Sequence, residues 1–157
     1  MKVIFLDIDG VLNSVAYDRE RTPDQGNIDE SRLPLLKRIV DESGAYIVLT
    51  SSWRKHWERE VSLCDTVGKE LNDTFRKFQL QIADKTHLIG AGQRALEIQR
   101  WLDAHEGQVE CFVILDDIFA GWGSLQSHLI KTDARIGRGL EQNHVDRALG
   151  MLNAVDT

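Results

Sequence analysis

Four carboxylates in this chain stand where acid–base and metal chemistry can be done. Asp7 and Asp9 lie two residues apart in KVIFLDIDGVL (residues 2–12), and Asp116 and Asp117 form an adjacent pair after CFVIL (residues 111–115). Two hydroxyls, Thr50 and Ser51, follow AYIVL (residues 45–49) in the same manner. If the three apolar runs are parallel strands, three unrelated segments deliver polar groups to one edge, the edge at which open α/β sheets keep their ligand crevice. Crowded carboxylates repel one another unless a hard cation neutralises them, and an oxygen-only donor set without His or Cys suits magnesium rather than zinc. Magnesium in turn favours a phosphate as substrate. The plain alternative for Asp7 and Asp9 is turn chemistry, because Asp and Gly commonly follow a strand for conformational reasons. Asp117 alone can serve merely to cap a turn.

The elements that must position these groups follow from periodicity. Residues 2–7 form an almost unbroken apolar run, as expected of a central strand buried on both faces, and residues 45–50 and 111–115 repeat the pattern. Between the first two, Leu33, Leu36, Ile39 and Val40 recur at helical spacing, with Asp29 or Ser31 to cap and Gly44 to stop the helix. Strand, helix, strand with a crossover of that length is a right-handed parallel unit, and so the fold class is a doubly wound α/β sheet. Residues 12–27, polar and holding Pro23 and Gly26, read as a long loop or flap. Residues 53–80 read as one or two amphipathic helices broken near Gly68, residues 83–92 as a loop, and residues 93–105 as a helix. Residues 128–131 are expected to be a short fourth strand, and residues 141–152 a closing amphipathic helix.

Composition narrows the function classes. A chain of 157 residues supports one domain, expected over 1–157, with a continuous core. Its 19 Lys and Arg against 25 Asp and Glu give a formal charge of −6, which excludes an overall basic footprint for nucleic acid or membrane. Four apolar residues, Val3 to Leu6, are too few for a signal-peptide core or a membrane span, so the expected location is the cytoplasm. Cys64 and Cys111 lack metal spacing and are expected to be reduced structural thiols. The histidines at 87, 105, 128 and 144 are scattered and receive no role.

The motifs together resemble those of the haloacid dehalogenase superfamily. Its Asp-x-Asp-x-Val/Thr motif is matched by Asp7-Ile8-Asp9-Gly10-Val11, its Thr or Ser after the second strand by IVLTSSWR, and its acidic pair by FVILDD. FLDIDGVLN, SSWR, the RALEIQRWL helix and the late Gly139-Leu140 look more narrowly like the phosphatase-type domain of Swiss-Army-Knife RNA repair proteins.

The resemblance implies roles residue by residue. Asp7 is the nucleophile that forms an aspartyl-phosphate, and Asp9 is the acid that protonates the leaving oxygen and then the base that activates water. Thr50, or Ser51 in its place, bonds the phosphoryl oxygens, and Arg94 offsets their charge, with Lys85 as the alternative cation. Arg94 read on its own is equally a solvated charge or an ion-pair partner of Glu97 or Asp103. Magnesium is implied at the Asp7 carboxylate, the Asp9 backbone carbonyl and Asp116, with Asp117 ligating through water or orienting the shell. Ser51, Gly10 and Arg54 are the expected substrate contacts, although Arg54, Lys55 and His56 at a helix start also read as a solvated face. Trp53, Trp57 and Trp101 read as core, and Trp122, between two glycines beside the acids, as packing or a base-stacking platform. There is no room for a folded cap after the first motif and only about 40 residues between the second and third, so the site is expected to be open. The partner is a phosphorylated substrate: a nucleic-acid end or nucleotide, a small metabolite, or a ligand held by a non-catalytic module.

Overall fold

The computed structural model describes residues 1–154; the last three positions of the expected 1–157 domain lie outside the described residues. Five strands form one sheet: β1 (Lys2–Leu6), β2 (Tyr46–Leu49), β3 (Ile82–Lys85), β4 (Cys111–Asp116) and β5 (Leu129–Lys131). Their order is β3-β2-β1-β4-β5, with every pairing parallel, so β1 is central. Between them run α1 (Val15–Glu20), α2 (Leu33–Ser43), α3 (Thr66–Lys77) and α4 (Arg94–Ala104), and α5 (Gln142–Asn153) follows β5.

Strand alternation sorts the core onto two faces. Ile4, Leu6, Ile47, Leu49, Val113 and Leu115 pack with residues of α2, α3 and α5, including Leu36, Phe75 and Val145. Val3, Phe5, Val48 and Ile114 pack on the other face against Ile98 and Trp101 of α4 and Trp122. Phe5 meets Trp101 and Phe112 edge to face, with ring centroids 5.3 and 5.6 Å apart. Burial on both faces explains why β1, β2 and β4 read as continuous apolar runs.

Three elements differ from expectation. Residues 12–27 are not a free flap: Ser14 caps α1 by accepting the Tyr17 amide, and the Tyr17 hydroxyl donates to the carbonyls of Gly26 and Ile28 at 2.7 and 3.0 Å. Residues 53–80 hold one α-helix, α3, preceded by short 3-10 turns at 52–55 and 61–63, and Gly68 lies inside α3 rather than at a break. Asp65 caps that helix by accepting the Gly68 amide. A Cβ at Gly68 would stand 1.9 Å from the His56 carbonyl oxygen, so the glycine marks close packing rather than a stop. Residues 83–85, expected to belong to a loop over 83–92, lie in the edge strand β3; only Ile82 is buried, and the ladder is irregular at Ile47 and Val48.

No helix among the described residues is long and apolar enough to cross a membrane.

Candidate active site

Register brings the three motif segments level. Leu6 pairs with Leu49 on one side and Leu115 on the other, so Asp7, Thr50 and Asp116 come at the same height at the C-terminal edge. The ladder closes there: the Asp7 amide donates to the Leu115 carbonyl at 3.0 Å, and the Thr50 amide to the Leu6 carbonyl at 2.9 Å. The chain after β1 then turns sharply. Gly10 sits at φ +86°, and its amide donates to Asn13 Oδ1 while its carbonyl accepts from the Thr132 hydroxyl at 2.7 Å. A Cβ on Gly10 would lie 2.3 Å from Asp117 Oδ2, so glycine is what lets that carboxylate approach.

Asp7, Asp116 and Asp117 each offer an oxygen within 4.8 Å of the others. Arg94, the first residue of α4, reaches into this group: its Nη1 lies 2.8 Å from Asp116 Oδ2 and 3.1 Å from Asp7 Oδ2. One guanidinium against three carboxylates leaves negative charge uncompensated. The Asp7 carboxyl is pushed up to about 7, chiefly by burial and next by Asp116, with Asp117 adding to the rise while Arg94 and the Ile8 amide pull against it. The Asp117 carboxyl is also raised, first by burial and then by Asp116. Burial acts to lower the Arg94 pKa, yet Asp7 and Asp116 hold it above the ordinary arginine value. A closely spaced all-oxygen donor set carrying surplus negative charge fits a hard divalent cation.

The remaining expected residues divide. Thr50 is fully buried, and its Oγ1 has no hydrogen-bond partner, one of two such buried side-chain atoms among the described residues. Ser51 is also buried, but its hydroxyl accepts the Trp53 amide. Asp9 is exposed, and its carboxylate stands outside the three-acid group. It accepts from Asn13 Nδ2 at 2.9 Å and from Trp53 Nε1 at 3.2 Å, two donors that motif reading did not identify.

Arg54, expected at the substrate, is turned inward instead: 4% exposed, it donates to the Thr50 carbonyl, Thr86 Oγ1 and Glu97 Oε1. Glu97 is 2% exposed and accepts the Ile89 amide through its other oxygen. The pair therefore braces the end of β2 against α4, the helix that begins with Arg94. Lys85 is directed away from the acids; its Nζ holds the Arg54 and Trp57 carbonyls and Glu58. Trp122 is 3% exposed with its Nε1 on the Ile118 carbonyl, so its face is closed to a ligand. His105 and His128 stack on Trp101 and Phe112, and His144 completes the cap of α5. Cys64 is a free thiol, and the Cys111 thiol donates to the Leu152 carbonyl.

The family model for the HAD domain in Swiss Army Knife RNA repair proteins matches residues 3–145. The chain belongs to this family. No curated protein and no solved structure matches it. As a HAD domain it carries a Rossmann-like fold and is a phosphatase-type hydrolase. The matched span takes in all the motif segments at the C-terminal edge and ends within α5, so Gly139 and Leu140 also lie inside it.

Proposed function

We propose that this HAD domain is a magnesium-dependent phosphomonoesterase that works through an aspartyl-phosphate on Asp7 and acts on a nucleic-acid end or nucleotide. The observation that carries the reading is the convergence of Asp7, Asp116 and Asp117 within 4.8 Å around Arg94, level with a buried Thr50 hydroxyl that lacks a partner. A buried hydroxyl without a bond is a cost to the fold, and it is relieved when a substrate oxygen arrives. The RNA repair family supports a phosphorylated or nucleic-acid substrate.

In the first step an Asp7 carboxylate oxygen forms a bond to phosphorus as the bond to the ester oxygen breaks, and Asp9 gives that oxygen its proton. In the second, Asp9 takes a proton from water, the water oxygen bonds to phosphorus, and the Asp7 carboxylate is released with inorganic phosphate. Arg94 and the Thr50 hydroxyl meet charge on the equatorial oxygens in both steps. Asp7, Asp116 and Asp117, with the Asp9 backbone carbonyl, would hold the magnesium ion, which when bound offsets the charge of nucleophile and phosphate and orients both. Asp9 lies outside the cluster and is oriented by Asn13 and Trp53, an arrangement suited to proton transfer rather than to charge neutralisation.

The test is phosphate release from a panel of 3′- and 5′-phosphorylated oligonucleotides, nucleotides and small phosphate esters, with magnesium or with EDTA, by wild type and Asp7→Asn. Release that requires magnesium and is lost in the variant is expected, with the best rates on nucleotidic esters. Magnesium binding without release from any ester would overturn the proposal.

A further inference from the structure

Beside Asp9, on the side away from Arg94, the surface opens into a trough. One lobe, of about 230 Å³, is lined by Asn27, Ser52, Trp53, Lys55, His56 and Val67. A second, of about 120 Å³, shares Asn27, Trp53 and Val67 with it, so the two adjoin at Trp53. The trough touches the catalytic turn at two points. Trp53 Nε1 donates to Asp9 Oδ2 at 3.2 Å, and Asn13 Nδ2, which donates to Asp9 Oδ1, also reaches the Asn27 carbonyl at 3.1 Å. Trp53 is half-buried, packed on the core yet open on the trough side. Lys55 is exposed and makes no hydrogen bond or ion pair among the described residues, whereas His56 is engaged by Asp65 at 2.5 Å.

We infer that this trough is the leaving-group subsite and that it takes the terminal nucleoside of a single-stranded polynucleotide, its base stacked on Trp53 and the next phosphate met by Lys55. The inference rests on the phosphatase reading above. If Asp9 gives its proton to the ester oxygen, whatever that oxygen carries must lie on the Asp9 side, and the trough is what lies there. A rigid indole face with an unpaired cation next to it is the pairing by which proteins hold single strands without reading their sequence. The chain needs no overall positive charge for this, because one stacked base and one phosphate contact suffice to orient an end. The larger lobe is smaller than the usual range for a drug-sized ligand, which suits one nucleoside while the strand continues outward. Trp53 thus has two separable parts: a ring that stacks, and an Nε1 that makes it a positioning residue for Asp9.

The experiment compares a terminally phosphorylated oligonucleotide, the same oligonucleotide with its terminal base removed, and a small alkyl phosphate. Variants are Trp53→Leu, Trp53→Phe and Lys55→Ala, with Arg100→Ala on α4 as a charge control and circular dichroism to confirm folding. Loss of one base stack is worth roughly tenfold or more. Trp53→Leu should therefore remove the preference for the base-bearing over the abasic strand by about that factor, through KM. Trp53→Phe keeps a stacking ring and should keep the preference, while kcat falls on all three substrates because Asp9 has lost a donor. Lys55→Ala should raise KM for both strands, and Arg100→Ala should not. Quenching of indole fluorescence by the oligonucleotide in Asp7→Asn, absent when Trp53→Phe is added, supplies a readout free of turnover. Hydrolysis of all three substrates with no base preference and no quenching overturns the subsite and leaves the phosphatase standing. Quenching without hydrolysis of anything overturns the phosphatase reading and with it the leaving-group role, and upholds only the stacking of a strand end on Trp53.

Discussion

The Arg54–Glu97 pair gives the most exacting test of the physical argument, because both side chains are sealed from water and, of their polar atoms, only Arg54 Nε lacks a partner. Glu97 Oε1 lies 2.8 Å from Arg54 Nη2, and Oε2 accepts the Ile89 amide at 2.6 Å. Glu97→Gln keeps the shape but offers one acceptor in place of two, and it leaves a guanidinium uncompensated where only 4% of the residue is exposed. Removing one partner of a buried pair costs about 3–5 kcal/mol. Against a total stability of about 5–15 kcal/mol that is a large fraction. At roughly 2–4 °C per kcal/mol for a domain of this size, the melting temperature should fall by roughly 6–20 °C. Urea denaturation followed by circular dichroism measures the loss directly. The double variant Arg54→Met, Glu97→Met should be more stable than the sum of the two single losses, because the two charges go together. A Glu97→Gln protein within about 1 kcal/mol of wild type, or a double variant at the simple sum, would refute the claim that this pair is buried and braced as described.

Three further outcomes follow from the acidic edge. Asp7 titrates higher in the fold than its ordinary value of 3.8, near 7, so the native state holds a proton the unfolded chain has released, and this contribution to stability declines as pH rises from about 4 to 7. Melting temperatures in EDTA between pH 5 and 8 should show that decline, Asp7→Asn should flatten it, and an unchanged slope would count against the crowding of charge at Asp7. Gly10→Ala puts a Cβ 2.3 Å from Asp117 Oδ2 at a left-handed φ, and magnesium affinity by calorimetry should drop at least tenfold while the fold persists. Thr50→Val removes a hydroxyl that has no partner, so stability should hold or rise while kcat falls about a hundredfold or more, the size expected for loss of one preorganised donor.

What the sequence disclosed, and what it hid, has a common cause. Asp7, Thr50 and Asp116 were legible because a strand buried on both faces must be apolar, and a polar residue at its end then stands out. Arg94 was legible as a cation at a helix start, and the structure turns it onto two of the acids rather than onto Glu97 or Asp103 alone. Arg54 was misread for the opposite reason: a cation in Trp-Arg-Lys-His has the local signature of a solvated face, and its burial depends on Glu97, 43 positions away. Of the two readings for Trp122, packing holds, because the cluster with β1 and the Ile118 carbonyl close it, while Trp53, read as core, packs on the core with only part of its surface. Strand β3 carries too few apolar residues to announce itself and is held by its neighbour's ladder.

The turn that holds the first two aspartates is finished by residues 132–140, which are distant in sequence. The Thr132 hydroxyl bonds the Gly10 carbonyl across 122 positions, and the Leu140 amide bonds the Val11 carbonyl at 2.7 Å. Gly139 lies so near that a Cβ there would stand 2.5 Å from the same oxygen. On the ribosome, therefore, residues 10 and 11 wait for residues 132 and 140. At about 5–20 residues per second, the interval between synthesis of Asp7 and of Leu140 is roughly 7–27 s. A nascent chain halted before residue 132 holds every acid of the cluster without the clasp that shapes the turn between them, so the turn is complete only once Leu140 has been made.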